Sequence, residues 1–271
     1  MKLAELHDQL FEVLCLVDDI CKKHNVRYFL DSGTEIGAVR DKNIIPWDDD
    51  IDLKVLREDY PAFKAAMLKE LPEHYHFIEP ADYAPAFFDF VPHVFDDRKP
   101  IRKETDEDRY YKNYQNRVGL DVFILDKAPE STLSRKIQKV QMILVYGLSM
   151  AKRYKAKKEK YTLAEKAVTA ILSTLGKPFS MEWLCRQHDR IVTKYQNTDS
   201  KLYFYSNSIN VREEQYFPAE WYEGTEYAPM RDRMFPIPSG YHEELTMIYG
   251  DYMKPPKDRS IYIQHFVEDE E

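Results

Sequence analysis

Leu3, Leu6, Leu10, Val13, Leu14, Val17, Ile20 and Cys21 recur at three- and four-residue intervals. That spacing predicts one amphipathic helix ending near His24. Tyr28-Phe29-Leu30 follows as a short buried strand running into Asp31-Ser32-Gly33. The stretch 34–40 reads as a short helix with Ser32 or Thr34 as its candidate N-cap. Ile44-Ile45-Pro46-Trp47 is a loop, and polar and apolar residues then alternate from Asp50 to Val55. Alternation of that kind predicts a strand with one polar face. A helix is expected over 58–70, and further strands over 76–78, 87–95 and 118–125.

The second half reads as mostly helical. A long helical pattern covers 131–154, a Lys-rich stretch follows, and a second pattern covers 163–175. Gly176-Lys177-Pro178 breaks the chain, and Ser180 starts another helix running toward Tyr195. A strand is expected over 201–205 and an extended segment over 234–238. Ser239 is expected to cap a short helix stopping at Gly250, and Pro255-Pro256 bars its continuation. There is no internal repeat and no low-complexity linker. The pattern predicts one compact α/β unit with a mixed sheet and a helical C-terminal half.

Composition narrows the class. At roughly 150 residues per domain, 271 residues make one large domain or two small ones. With 44% hydrophobic and 32% charged residues the chain is globular, not disordered. Its 20 tyrosines can line a pocket as well as fill a core. The formal net charge is −8, which argues against coating nucleic acid. Cys15, Cys21 and Cys185 contain no CxxC pair, so neither a disulfide framework nor a cysteine zinc site is expected. Acidic residues interrupt the N-terminal apolar pattern, unlike a signal peptide. The longest apolar run, near 142–150, is about half of what spans a bilayer. These features predict a cytoplasmic protein.

Trp47-Asp48-Asp49-Asp50-Ile51-Asp52-Leu53 is the most informative stretch. Residues two apart in a strand share a face, so Asp50 and Asp52 should project together, joined by Asp48 if the strand begins early. Clustered carboxylates repel and want a cation, and hard oxygens suit Mg²⁺ or Mn²⁺. The bland alternative is a solvated acidic turn, but Ile51, Leu53 and Val55 place the carboxylates at the edge of a core strand. An EF-hand fails, with Leu53 and Asp59 where Gly and Glu are wanted. Leu53 also argues against an aspartyl-phosphate phosphatase. A nucleotide-sugar glycosyltransferase, which uses D-x-D to hold a metal on a diphosphate, survives. Upstream, Ser32-Gly33-Thr34 sits between a strand and a helix, where free backbone N–H groups favour phosphate. Gly33 allows close approach. With D-x-D on the next strand, this turn points to a nucleotidyltransferase-type site, which wants a third carboxylate on a later strand. Asp121, within Gly119-Leu120-Asp121-Val122-Phe123-Ile124, supplies one. Arg40, and Lys54 or Arg57, are candidate clamps for a diphosphate.

The runs from Phe29 to Arg40 and from Ile45 to Asp52 resemble the signature of the LicD family. The stretches Phe235-Pro236-Ile237-Pro238-Ser239-Gly240 and Tyr249-Gly250-Asp251-Tyr252-Met253 are similar to its closing motif. The family includes bacterial phosphocholine transferases and the fukutin-related polyol-phosphate transferases. The resemblance covers nearly the whole chain. It implies a nucleotidyltransferase-like core over 1–130, with 131–271 completing the same domain and forming the acceptor side. It further implies transfer of a phosphorylated alcohol from a CDP-linked donor to a hydroxyl of a cell-surface glycan or glycolipid. Asp50 and Asp52 match the family's metal pair, Asp48 the carboxylate before it, and Asp121 the later-strand aspartate. Gly33, Thr34 and Arg40 match the turn and helix near the donor phosphates. Glu35-Ile36 departs from the usual Leu-Leu, placing an extra charge near the turn. The zinc-binding cysteines of the fukutin-related members are not apparent, and His265 is the only counterpart offered for the closing histidine region.

The reaction so implied is in-line phosphoryl transfer, with positioning and charge neutralisation as the enzyme's work. A choline donor would call for aromatic faces, with Tyr83, Phe87, Phe88, Tyr203, Tyr205, Trp221 and Tyr222 as candidates. A polyol donor would call for groups such as Asn207 or Asn210. The run Lys152–Lys160 is locally basic and suits anionic lipid head groups at a membrane surface or a phosphate-rich acceptor, or else is a solvated helix end. A metal-dependent glycosyltransferase and a non-catalytic choline- or glycan-binding module remain the alternatives.

Overall fold

In a computed structural model of the chain, residues 1–155, 161–207 and 215–256 are described. Helix α1 (Leu3–His24) ends where the apolar spacing predicts, at an Asn25 cap in the left-handed region. Strand β1 (Phe29–Leu30) leads into α2 (Ser32–Ile36), which widens into a π turn over Gly37–Asp41. Strand β2 (Asp52–Leu56) and helix α3 (Tyr60–Glu70) follow. Next come β3 (Tyr75–Ile78), β4 (His93–Pro100), α4 (Asp106–Tyr110) and β5 (Arg117–Lys127). Three helices then run in succession: α5 (Thr132–Ser149), α6 (Leu163–Gly176) and α7 (Met181–Val192). Strands β6 (Leu202–Tyr205), β7 (Phe217–Pro218), β8 (Thr225–Met230) and β9 (Arg233–Pro238) precede α8 (Tyr241–Tyr249).

The sheet is mixed, as expected. Its order is β1-β2-β5-β4-β3, with β6 joined to β5 and β7 to β6. Among the described residues only β2 and β5 run parallel; the other pairs are antiparallel. One face carries Leu53, Val55, Leu120, Val122 and Ile124, all buried with α1 and with Phe63 and Met67 of α3. Each such side chain contributes about 1.5–3 kcal/mol by leaving water, which fixes the register of the two central strands. The opposite face carries Asp52 and Lys54 beside Asp121 and Phe123. Period-two alternation therefore puts every polar residue of β2 on one side.

Four expectations need correcting. The N-cap of α2 is Asp31, with no side-chain cap bond, because its carboxylate is drawn to Lys54. The strand begins at Asp52, so Asp50 lies in the preceding loop. Residues 87–92 are not strand; Phe87 and Phe90 pack against Val145, Met150, Met181 and Leu184, filling a helical core instead. Gly240, not Ser239, precedes α8, and the Ser239 hydroxyl donates to the Trp221 carbonyl (3.2 Å). No helix among the described residues is long and apolar enough to cross a membrane.

Candidate active site

Backbone bonds join the two sequence motifs directly. Asp31 N donates to the Asp52 carbonyl (3.0 Å), and Asp52 N donates to Thr34 Oγ1 (2.9 Å). The Ser32-Gly33-Thr34 turn is thus clipped to the first residue of β2. Ser32 holds a φ of +49°, a strained left-handed value for a residue with a side chain. Gly33 lies so close to the acidic loop that a Cβ there would sit 2.6 Å from Asp48 Oδ2. The loop itself is anchored by Asp48 N donating to the Ile45 carbonyl (3.0 Å) and His7 Nε2 donating to the Asp48 carbonyl (2.7 Å).

Asp48, Asp49 and Asp50 each offer a carboxylate oxygen within 4.8 Å of the others. Asp52 and Asp121 occupy paired positions on the parallel strands β2 and β5, so their side chains leave the same face side by side. Burial first, then the charges of Asp50 and Asp49, push Asp48 up to about 8. Burial, followed by the charges of Asp50 and Asp121, raises Asp52 well above the usual carboxylate range. Such a group of hard oxygen donors cannot hold all its negative charge unaided, and the donor chemistry fits Mg²⁺ or Mn²⁺.

The row continues onto β4, where His93 pairs with Asp121. His93 Nδ1 donates to Asp121 Oδ1 at 2.6 Å, and its Nε2 lies 3.5 Å from Asp89. Burial alone would lower the His93 pKa, but Asp121 and then Asp89 push it up to about 10. Nothing in the sequence reading singled out His93; its only signal is a lone histidine between apolar residues of a strand. Half-buried Phe123, two residues beyond Asp121 on the same face, meets the ring of Tyr205 edge-on at 5.9 Å.

The basic candidates are not brought to the carboxylates. Lys54 is fully buried, with Nζ 2.7 Å from Glu244, 2.8 Å from Glu35 and 3.1 Å from Asp31. Tyr205 donates its hydroxyl to Asp31 in the same cluster. The Glu35 that departs from the LicD pattern is therefore a partner of Lys54. Arg57, on the α1 side of the sheet, holds Asp126 through two bonds of 2.7 and 2.8 Å. Arg40 stays beside the acidic loop over the Trp47 ring, but Asp41 takes its guanidinium, which also donates to the Tyr252 carbonyl (3.1 Å).

The remaining candidates scatter. Asn207 is buried and bridges the backbone of β5, accepting from Ile124 N and donating to the Val122 carbonyl, both at 2.9 Å. One donor and one acceptor of its amide are thereby used on the strand backbone. Tyr83, Phe87, Tyr203 and Tyr222 are buried in apolar clusters, with Phe88 and Trp221 packed against two of them. Asn210, His265 and residues 156–160 of the basic run lie outside the described residues.

Comparison with known proteins adds three findings. The model of the LicD/FKTN/FKRP nucleotidyltransferase domain matches residues 25–132. A lipopolysaccharide cholinephosphotransferase, LicD, of Haemophilus influenzae is 29% identical over 274 aligned positions, covering 99% of this chain and 98% of its own. An uncharacterized protein of Rickettsia prowazekii is 40% identical over 50 residues, 18% of this chain and 19% of its own.

Proposed function

We propose that the chain is a LicD-type transferase of phosphorus-containing groups that moves phosphocholine from CDP-choline to a hydroxyl of a lipopolysaccharide-type glycan. The observation that carries this reading is the register of Asp52 beside Asp121, next to an acidic loop clipped to the Ser32–Thr34 turn.

Asp50, Asp52 and Asp121, with Asp48 from the loop, are the residues that would hold Mg²⁺ or Mn²⁺, and the ion supplies charge neutralisation at the donor diphosphate. The backbone amides around Ser32, Gly33 and Thr34 receive the donor phosphates, where Gly33 leaves room for close approach. The acceptor hydroxyl attacks the phosphorus bearing choline, the bond to the CMP oxygen breaks, and CMP leaves. Asp121 takes the hydroxyl proton, with His93 holding its carboxylate in position. Phe123 and Tyr205 offer ring faces to the trimethylammonium group, at about 0.5–2 kcal/mol per cation–π contact. We read the C-terminal part as completing the same unit; the extension of the sheet by β6 and the contact of Glu244 of α8 with Lys54 support this.

A donor screen tests this. CDP-choline, CDP-glycerol, CDP-ribitol and UDP-sugars are offered with Mg²⁺ and with EDTA, and nucleotide release is followed. CMP release from CDP-choline, abolished by EDTA, is expected; release of UDP alone would transfer the assignment to a glycosyltransferase. Asp52→Asn and Asp121→Asn should each lower turnover by a factor on the order of 10³. Near-normal turnover in either variant rejects the carboxylate roles.

A further inference from the structure

Eight of the fifteen strongly exposed large apolar side chains among the described residues lie on α5 and α6. On α5 they are Leu133, Ile137, Val140 and Leu144, each 45–68% exposed. Steps of four, three and four residues align them in one stripe. The opposite stripe of α5 is buried: Gln138, Met142, Val145 and Ser149, with Gln138 Nε2 donating to the Ile191 carbonyl of α7 (2.9 Å). Helix α6 crosses only the end of the open stripe. A Cβ on Gly147 would meet Leu172, and one on Gly176 would meet the Leu148 carbonyl. Among the described residues nothing covers the rest of the stripe, and α6 adds its own exposed Val168, Ile171 and Leu175. An apolar face this extensive on a water-facing helix pair marks an interaction surface.

Charge identifies the occupant. The chain as a whole carries −8, yet α5 holds no acidic residue; its Arg135 stacks over the Tyr216 ring (4.7 Å), Lys139 is partly buried, and Lys136 is exposed one residue before Ile137 of the stripe. Helix α6 and its C-cap hold Lys166 and Lys177 against Glu165, whose carboxylate is used in the capping box with Thr162. A two-fold pairing of this face with a second copy would press like charges together. An anionic bilayer complements both features: apolar side chains enter the boundary of head groups and acyl chains, and lysines meet the head groups. We propose that the α5–α6 hairpin seats the protein on an anionic lipid bilayer, lying in its surface plane.

Cosedimentation of the full chain with vesicles tests this. Vesicles of equal parts phosphatidylglycerol and phosphatidylcholine are compared with phosphatidylcholine alone. Wild type should pellet with the anionic vesicles and not with the neutral ones. Ile137→Glu combined with Ile171→Glu, and Lys136→Glu combined with Lys177→Glu, should each weaken pelleting about tenfold or more. All four side chains are surface groups, so melting temperatures should stay within about 2 °C of wild type. Three results would overturn the proposal: wild type left in the supernatant at low salt, equal pelleting with both vesicle types, or binding that neither variant pair changes. Light scattering adds a fourth, a dimer dissolved by Ile137→Glu, which would make the face a contact between copies.

Discussion

Lys54→Met is the sharpest test of where the charge of this molecule does its work. One buried ammonium faces Asp31, Glu35 and Glu244, and one oxygen of each carboxylate has no further hydrogen-bond partner. Burial pushes Glu35 up to about 8 even though Lys54 pulls it down, so the cluster depends on the ammonium to hold its negative charge. Methionine keeps the volume and removes the charge. A carboxyl of the cluster must then take up a proton in the folded state. For a glutamate with an ordinary value of 4.5, doing so at pH 7.5 means working against about three pH units, or about 4 kcal/mol. That agrees with the roughly 3–5 kcal/mol lost when one partner of a buried ion pair is removed, and corresponds to a fall in melting temperature of about 10 °C.

The pH dependence gives the sign. A carboxyl whose folded pKa lies above its unfolded value keeps a proton that the unfolded chain releases, so its contribution is present below the unfolded pKa and lost as pH rises through the folded one. The deficit of the variant should therefore shrink to about 1.5 kcal/mol at pH 5.5. Urea melts at pH 5.5, 6.5 and 7.5, run beside donor kinetics, check this. Superimposable melts at pH 7.5 with a raised KM for the donor would refute the reasoning and return Lys54 to the donor diphosphate.

Gly33→Ala forces a Cβ to within 2.6 Å of Asp48 Oδ2; the loop must shift, and turnover should drop tenfold or more, on the order of what a misplaced catalytic group costs, with little change in melting temperature. An unaltered rate would mean that the Asp48 position is irrelevant. His93→Ala leaves Asp121 without its 2.6 Å bond, and a roughly 10- to 100-fold loss in metal affinity or turnover is expected, measured by calorimetric titration with Mn²⁺; identical isotherms would count against it. Mg²⁺ at a hundred times its dissociation constant should stabilise the fold by about 2.7 kcal/mol, because it relieves the raised carboxylates Asp48 and Asp52. Coincident melting curves in Mg²⁺ and EDTA would argue that no ion is held there.

Much of the frame was legible because burial enforces period. The α1 spacing and the β2 alternation both follow from one apolar face against one core, and a single Asp in the apolar run of β5 marked the position that pairs with Asp52. Other features carried no such signal. The β8–β9 hairpin was half seen, because Pro229, Pro236 and Pro238 interrupt the alternation that announces a strand. Residues 87–92 have strand-like apolarity, but helices reached only through the tertiary fold claim Phe87 and Phe90. The destination of Lys54 was hidden for a related reason. Its spacing places it correctly on the Asp52 face, whereas its partners stand 19 residues upstream and 190 downstream.

Those distant partners bear on how the turn keeps its shape. The family match ends at residue 132, yet the Ser32–Thr34 turn leans on residues well beyond it. Asp31, the residue before the strained Ser32, is held by Lys54 and by the Tyr205 hydroxyl. Glu244 of α8 takes the same ammonium, and the Tyr252 carbonyl takes the Arg40 guanidinium at the far end of the helix that the turn opens. A positive φ at Ser32 costs on the order of 1–3 kcal/mol unless its surroundings over-determine it. The contacts that do so come from both the strand carrying Asp52 and the closing segment of the chain. On this argument the closing segment of the chain completes the support of the turn, even though Glu244 and Tyr252 stand beyond the residues that the family model matches.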